Sequence, residues 1–201
     1  MIPEWDVKII QEVDLSKPYM ACEEVLTCET GLVCNHDYFD NRYLRFEEME
    51  NVLPFERSAI ETIFQNCHSK EELEKRFSDF EEEHYDDLPE ILPCFELGIA
   101  SITIAVAAMK GAPMSSCRGH LNGPRTGNPI VAFYAFPRIA PIFVKYARRF
   151  NCGIGNIGIE RDLDAGLLLW ARSVMPLLNM AQALYDDFHE REGYLYELSQ
   201  E

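Results

Sequence analysis

The chain has 201 residues, 47% of them hydrophobic, which is enough apolar material for a packed core and excludes global disorder. No stretch approaches about 18 uninterrupted apolar residues, so no membrane span is expected; the start, Met1-Ile2-Pro3-Glu4-Trp5-Asp6, lacks the basic and apolar regions of a signal peptide, so a cytoplasmic location is expected. The net charge of −16 argues against general nucleic-acid binding, whose affinity rests on neutralising phosphates.

Residues 5–13 (Trp5 to Val13) mix apolar and polar positions and predict a strand. Residues 14–50 carry the turn signals Thr30-Gly31 and Asn35-His36-Asp37 between short apolar runs, which fits short strands or irregular loops. Cys22, Cys28, Cys34 and His36 lie here in a C-x5-C-x5-C-x-H spacing, wider than the knuckles of structural zinc sites. Seven cysteines in all, an odd number without a secretory signal, fit reduced, scattered thiols, and no metal site is assigned.

From Pro54, read as a first helical position, Ile60, Ile63, Phe64 and Cys67 follow at helical spacing. Ser69, with Glu72 three residues on, reads as a capping box. It opens a helix with Leu73, Phe77 and Phe80 on its apolar face and an exposed Glu81-Glu82-Glu83 run. Pro89 and Pro93 mark a boundary between an acidic, largely helical region (1–93) and an α+β region (94–201), which together also fit one compact domain.

Leu97 to Met109 is apolar or small at nearly every position and predicts a central, buried helix closed by Gly111. The expected elements that follow are a short strand at 114–117, a loop at 122–129, a buried strand at 130–136 and a helix over 139–150. A strand at 152–160, a turn at 163–166, a returning strand at 167–171 and a helix from about 174 to 189 complete the order. Gly153, Gly155 and Gly158 match part of G-x-G-x-x-G, but a helix precedes them where the dinucleotide motif needs a strand. They read instead as close backbone packing in a strand. The order predicts an α+β fold: a largely antiparallel sheet flanked by helices, with an acidic, mostly helical N-terminal half.

The charge is unevenly placed. Residues 1–95 hold 24 acidic and 8 basic side chains, whereas residues 96–201 hold 10 of each. Between Glu96 and Glu160 there is no acidic residue but seven basic ones, a candidate anion site. Within it, Ser115-Ser116-Cys117-Arg118-Gly119-His120 is the densest chemical constellation of the chain. Arg118 offers bidentate pairing to phosphate or carboxylate, Gly119 allows close backbone approach, and His120 suits acid–base work or metal ligation.

The buried helix, Gly111-x-Pro113, Ser116-Cys117-x-Gly119-His120 and the apolar strand, spanning Leu97 to Phe136, resemble a unit of small uncharacterised bacterial and phage proteins, which implies no known activity. Ser115, Ser116, Cys117 and Gly119 are also similar to the Ser-Ser-Cys-x-Gly stretch of the type 3 tRNA wybutosine-synthesis methyltransferases. No activity is carried across from either likeness.

The first functional expectation is binding of an anionic small molecule, such as a nucleotide. Arg118, His120 and Arg125 would hold it, supported by Ser115, Ser116 and the backbone at Gly119, and Cys117 or His120 would act in any turnover. A different reading makes Cys117 and His120 two metal ligands completed from afar by Cys152 or His36, a fragment of the about four ligands of a structural site. The alternative to a small-molecule site is an acidic interaction module, inhibitor- or immunity-type, that meets a basic protein partner through the Glu/Asp-rich helices between residues 56 and 90. No particular cofactor is implied.

Overall fold

The computed structural model describes residues 3–16, 44–65, 67–121, 127–157 and 166–199. Arg125, the Cys22/Cys28/Cys34/His36 group and the turn at 163–165 lie outside the described residues.

The first helix, α1 (Phe46–Phe64), starts eight residues before Pro54. Pro54, expected at the first helical position, lies inside the helix instead. Its missing N–H leaves the Glu50 carbonyl without a helical partner, and both residues are exposed, so water can serve that carbonyl. The true start is fixed by Glu48, whose Oε2 accepts the Arg45 amide at 2.7 Å, reaching back over the first turn.

Helix α2 (Lys70–Glu83) begins as its capping residues predict. Ser69 Oγ accepts the Glu72 amide at 3.1 Å, while Glu72 reaches back to the His68 amide at 2.9 Å, one residue earlier than the standard box. It ends on His84, which stacks on Phe80 with ring centroids 4.1 Å apart.

Helix α3 (Ala100–Ala108) is buried at every position, because its residues are apolar or small on all sides. It ends differently from expectation. Lys110, not Gly111, takes the left-handed conformation, with φ 62°. Gly111 is required for space, since a Cβ there would lie 2.7 Å from the Val106 carbonyl oxygen that its amide binds.

Four strands follow: β1 (Ala112–Cys117), β2 (Ile130–Tyr134), β3 (Gly153–Ile157) and β4 (Gly166–Trp170). Helix α4 (Ala140–Arg149) joins β2 to β3, and α5 (Val174–Phe188) and a short α6 (Glu192–Ser199) close the described chain. The strands form one antiparallel sheet in the order β1-β2-β4-β3, so the fold is α+β. Alternation along the strands places Val131, Phe133, Ile154, Leu167 and Leu169, all fully buried, in the core. Helix α3 packs on β1 and β2, α4 on β3, and α1 and α5 pack on α3. Residues from both sides of position 93 thus share one hydrophobic core.

Residues 5–13 form a strap rather than the expected strand. They make one parallel bridge, Gln11 to Ile154. Polar contacts hold the rest: the Trp5 amide donates to the Arg172 carbonyl at 2.7 Å, and Trp170 Nε1 donates to the Lys8 carbonyl at 3.0 Å. Among the described residues no helix is long and apolar enough to cross a membrane.

Candidate functional site

The Ser115–His120 turn leaves β1 and runs toward α2. Ser115 and Ser116 stay in the strand, opposite Ala132 and Val131. Cys117 closes the strand and is buried. Gly119 turns the chain with φ 90°, and a Cβ there would lie 2.5 Å from the Gly127 carbonyl oxygen. Both the angle and the space demand glycine at this point.

Arg118 is the least expected of the group, because its side chain is only 8% exposed. Its Nη1 donates to Glu81 Oε1, and its guanidinium carbon lies 4.6 Å from the centroid of the Phe77 ring, a cation–π distance. Glu81 belongs to the Glu81-Glu82-Glu83 run that the sequence predicts to be exposed. It is half-buried, whereas Glu82 and Glu83 are exposed. Its position follows from helical spacing, one turn after Phe77 on the same face of α2.

Two further carboxylates complete the cluster. Glu96 Oε2 accepts the Arg118 amide at 2.7 Å, and Glu96 Oε1 lies 3.1 Å from His120 Nε2. Glu74 Oε1 lies 3.4 Å from His120 Nδ1, and its other oxygen accepts the Leu121 amide at 3.4 Å. Burial would raise the Glu96 carboxyl, but the Arg118 amide, the His120 ring and the Arg118 charge outweigh it and hold the group below the usual carboxylate range. The acid-rich half of the chain therefore folds onto the basic turn of the other half.

The structure brings Arg118, Gly119 and His120 together with Cys117. The thiol of Cys117 accepts the Gly119 amide at 3.4 Å. Glu74, Glu81 and Glu96 were not among the residues the sequence pointed to. The signal that could have found them is charge complementarity: from Phe77 to Met109 the chain has eight acidic residues besides a single histidine and no lysine or arginine. Beside the cluster a cleft of about 330 Å³ is lined by Glu81, Glu96 and Arg118 together with the apolar Leu88, Leu92 and Phe95. Comparison with protein-family models, with curated proteins and with solved structures finds no match to this chain.

Proposed function

We propose that this chain is an acidic interaction module whose working surface is the end of α2 together with residues 85–97, and that its partner is a basic, partly apolar protein segment. The observation that carries this reading is the contrast between two charge groups. The Arg118 guanidinium and the His120 ring already face carboxylates of their own chain. Asp79, Glu82, Glu83, Asp86, Asp87 and Glu90 point to solvent. Tyr85, 66% exposed, stands among them and lines the partly apolar cleft. Exposed tyrosine beside an apolar recess is a favourable anchor for a protein contact, and the carboxylates would steer a basic partner toward it. An anionic small molecule at Ser115–His120 would instead have to displace Glu81 from Arg118 and face Glu74 and Glu96.

The test is fluorescence anisotropy with a synthetic amphipathic lysine/leucine peptide, run beside thermal-shift titrations with inorganic phosphate and ATP. The expected result is salt-sensitive peptide binding that falls about tenfold, roughly 1.4 kcal/mol, in a Tyr85→Ala/Asp86→Lys variant. Glu47→Lys, an equal charge change on exposed α1 surface, should alter it much less. Peptide binding indifferent to Tyr85 and Asp86 would overturn the reading. So would a phosphate or ATP shift that disappears in Arg118→Ala, which would restore the anion site.

A further inference from the structure

The loop at Glu96 and the turn at Cys117–His120 converge on one point. Glu96, Cys117 and His120 each offer a ligand atom there, and the three atoms lie within 4.8 Å of one another. We propose that these three residues form a binding site for a thiophilic divalent cation, matched best to Zn²⁺.

Each donor is held from behind. Glu96 Oε2 is engaged by the Arg118 amide, which leaves Oε1 toward His120 Nε2. The Glu74 carboxylate sits at His120 Nδ1. A proton on Nδ1 then puts the Nε2 lone pair on the Glu96 side, the carboxylate–imidazole arrangement that orients metal-ligating histidines. The Gly119 amide donates to Cys117 Sγ at 3.4 Å, which fixes the sulfur in place at the end of β1. Gly119 can do so because its φ of 90° folds the chain back after Cys117.

Charge and donor softness select the ion. Glu74, Glu81 and Glu96 outnumber Arg118, so the cluster attracts a cation. Thiolate with imidazole favours Zn²⁺ over Mg²⁺ and Ca²⁺, which prefer all-oxygen sites. Three protein ligands are the number found in zinc sites that keep a position for water or substrate, and Glu96 is also part of the wall of the cleft. This site shares Glu96 with the cleft of the partner surface proposed above, but it does not rest on that reading, because it uses neither Tyr85 nor Asp86, the residues on which that reading is tested.

The test titrates chelator-treated protein with CoCl₂ and then displaces the cobalt with ZnCl₂. One equivalent of Co²⁺ should produce a thiolate-to-cobalt charge-transfer band that Zn²⁺ removes. The band should vanish in Cys117→Ser. Glu74→Gln, which removes the charge behind His120 and keeps an oxygen for the Leu121 amide, should weaken Co²⁺ by about 10–100-fold. The band must persist in a Cys22→Ser/Cys28→Ser/Cys34→Ser variant, which excludes those three thiols as its source. If Cys117→Ser does not fold, His120→Asn takes its place, with the same loss expected. Absence of the band in the wild type, its survival in a folded Cys117→Ser or His120→Asn variant, or its loss in the triple variant would overturn the proposal.

Discussion

Glu56 is fully buried on α1, yet it is not isolated. Its two oxygens accept the amides of Gly98, Ala100 and Ser101 at 2.7, 3.0 and 2.9 Å. These are donors at the start of α3 that have no partner within that helix, and the carboxylate also faces the positive end of the helix dipole. Glu56→Ala would leave the donors buried and unmet, and should cost roughly 3 kcal/mol or more of stability in a urea titration. Burial raises the Glu56 pKa, and the amides only partly counter it. A raised carboxyl binds more protons folded than unfolded, so its contribution is fullest at low pH and declines as pH rises through the folded value. The stability difference between wild type and Glu56→Gln should therefore shrink as pH climbs above the ordinary glutamate range. Glu56 was not legible as a capping group in the sequence. A lone glutamate beside apolar positions looks like surface, and its partners lie more than 40 residues further along the chain.

At the scale of elements, local chemistry was readable where it is self-contained. Ser69 and Glu72 announce α2, and the unbroken apolar run announces α3. Elements that depend on distant partners were not. Helix α6 packs on the core through Leu195 and Leu198 and exposes Tyr194 and Tyr196, so its apolar stripe is too short to announce a helix. The β3–β4 pair shows a close approach that the glycine-rich segment hinted at. The Trp170 indole lies across the backbone at Gly153, and a Cβ on residue 153 would fall within it. Gly153→Ala should force the ring or the strand aside and cost about 1–3 kcal/mol, seen as a lower denaturation midpoint. The same change at Gly193, which has open space around it, should have little such effect.

For the molecule as a whole, the antiparallel α+β architecture could be read from the order of periodic segments. The pairing of the two charge halves could not, because opposite charge blocks fit a solvated surface, a foreign ligand or each other equally well. The structure shows the last of these at Arg118 and His120. Most of the excess negative charge is nevertheless outside that cluster, on exposed positions of α1, α2 and the segment after it. Mutual repulsion among exposed carboxylates opposes folding and is screened by salt, whereas buried pairs are screened much less. Raising ionic strength from low to physiological should therefore increase the melting temperature, and a decrease would mean that attractive surface pairs dominate.

The strap gives the molecule a built-in optical reporter. The chain has two tryptophans: Trp5 lies within the strap, and Trp170 is hydrogen-bonded to it through the Lys8 carbonyl. All indole emission thus reports on the strap and what it touches: β4 at Trp170, and Lys70 of α2, whose Nζ lies 4.6 Å from the centroid of the Trp5 ring. If the strap peels away before the helical core melts, emission should shift to longer wavelength while far-ultraviolet ellipticity stays unchanged. Coincident transitions would instead make the strap part of the same cooperative unit as the core.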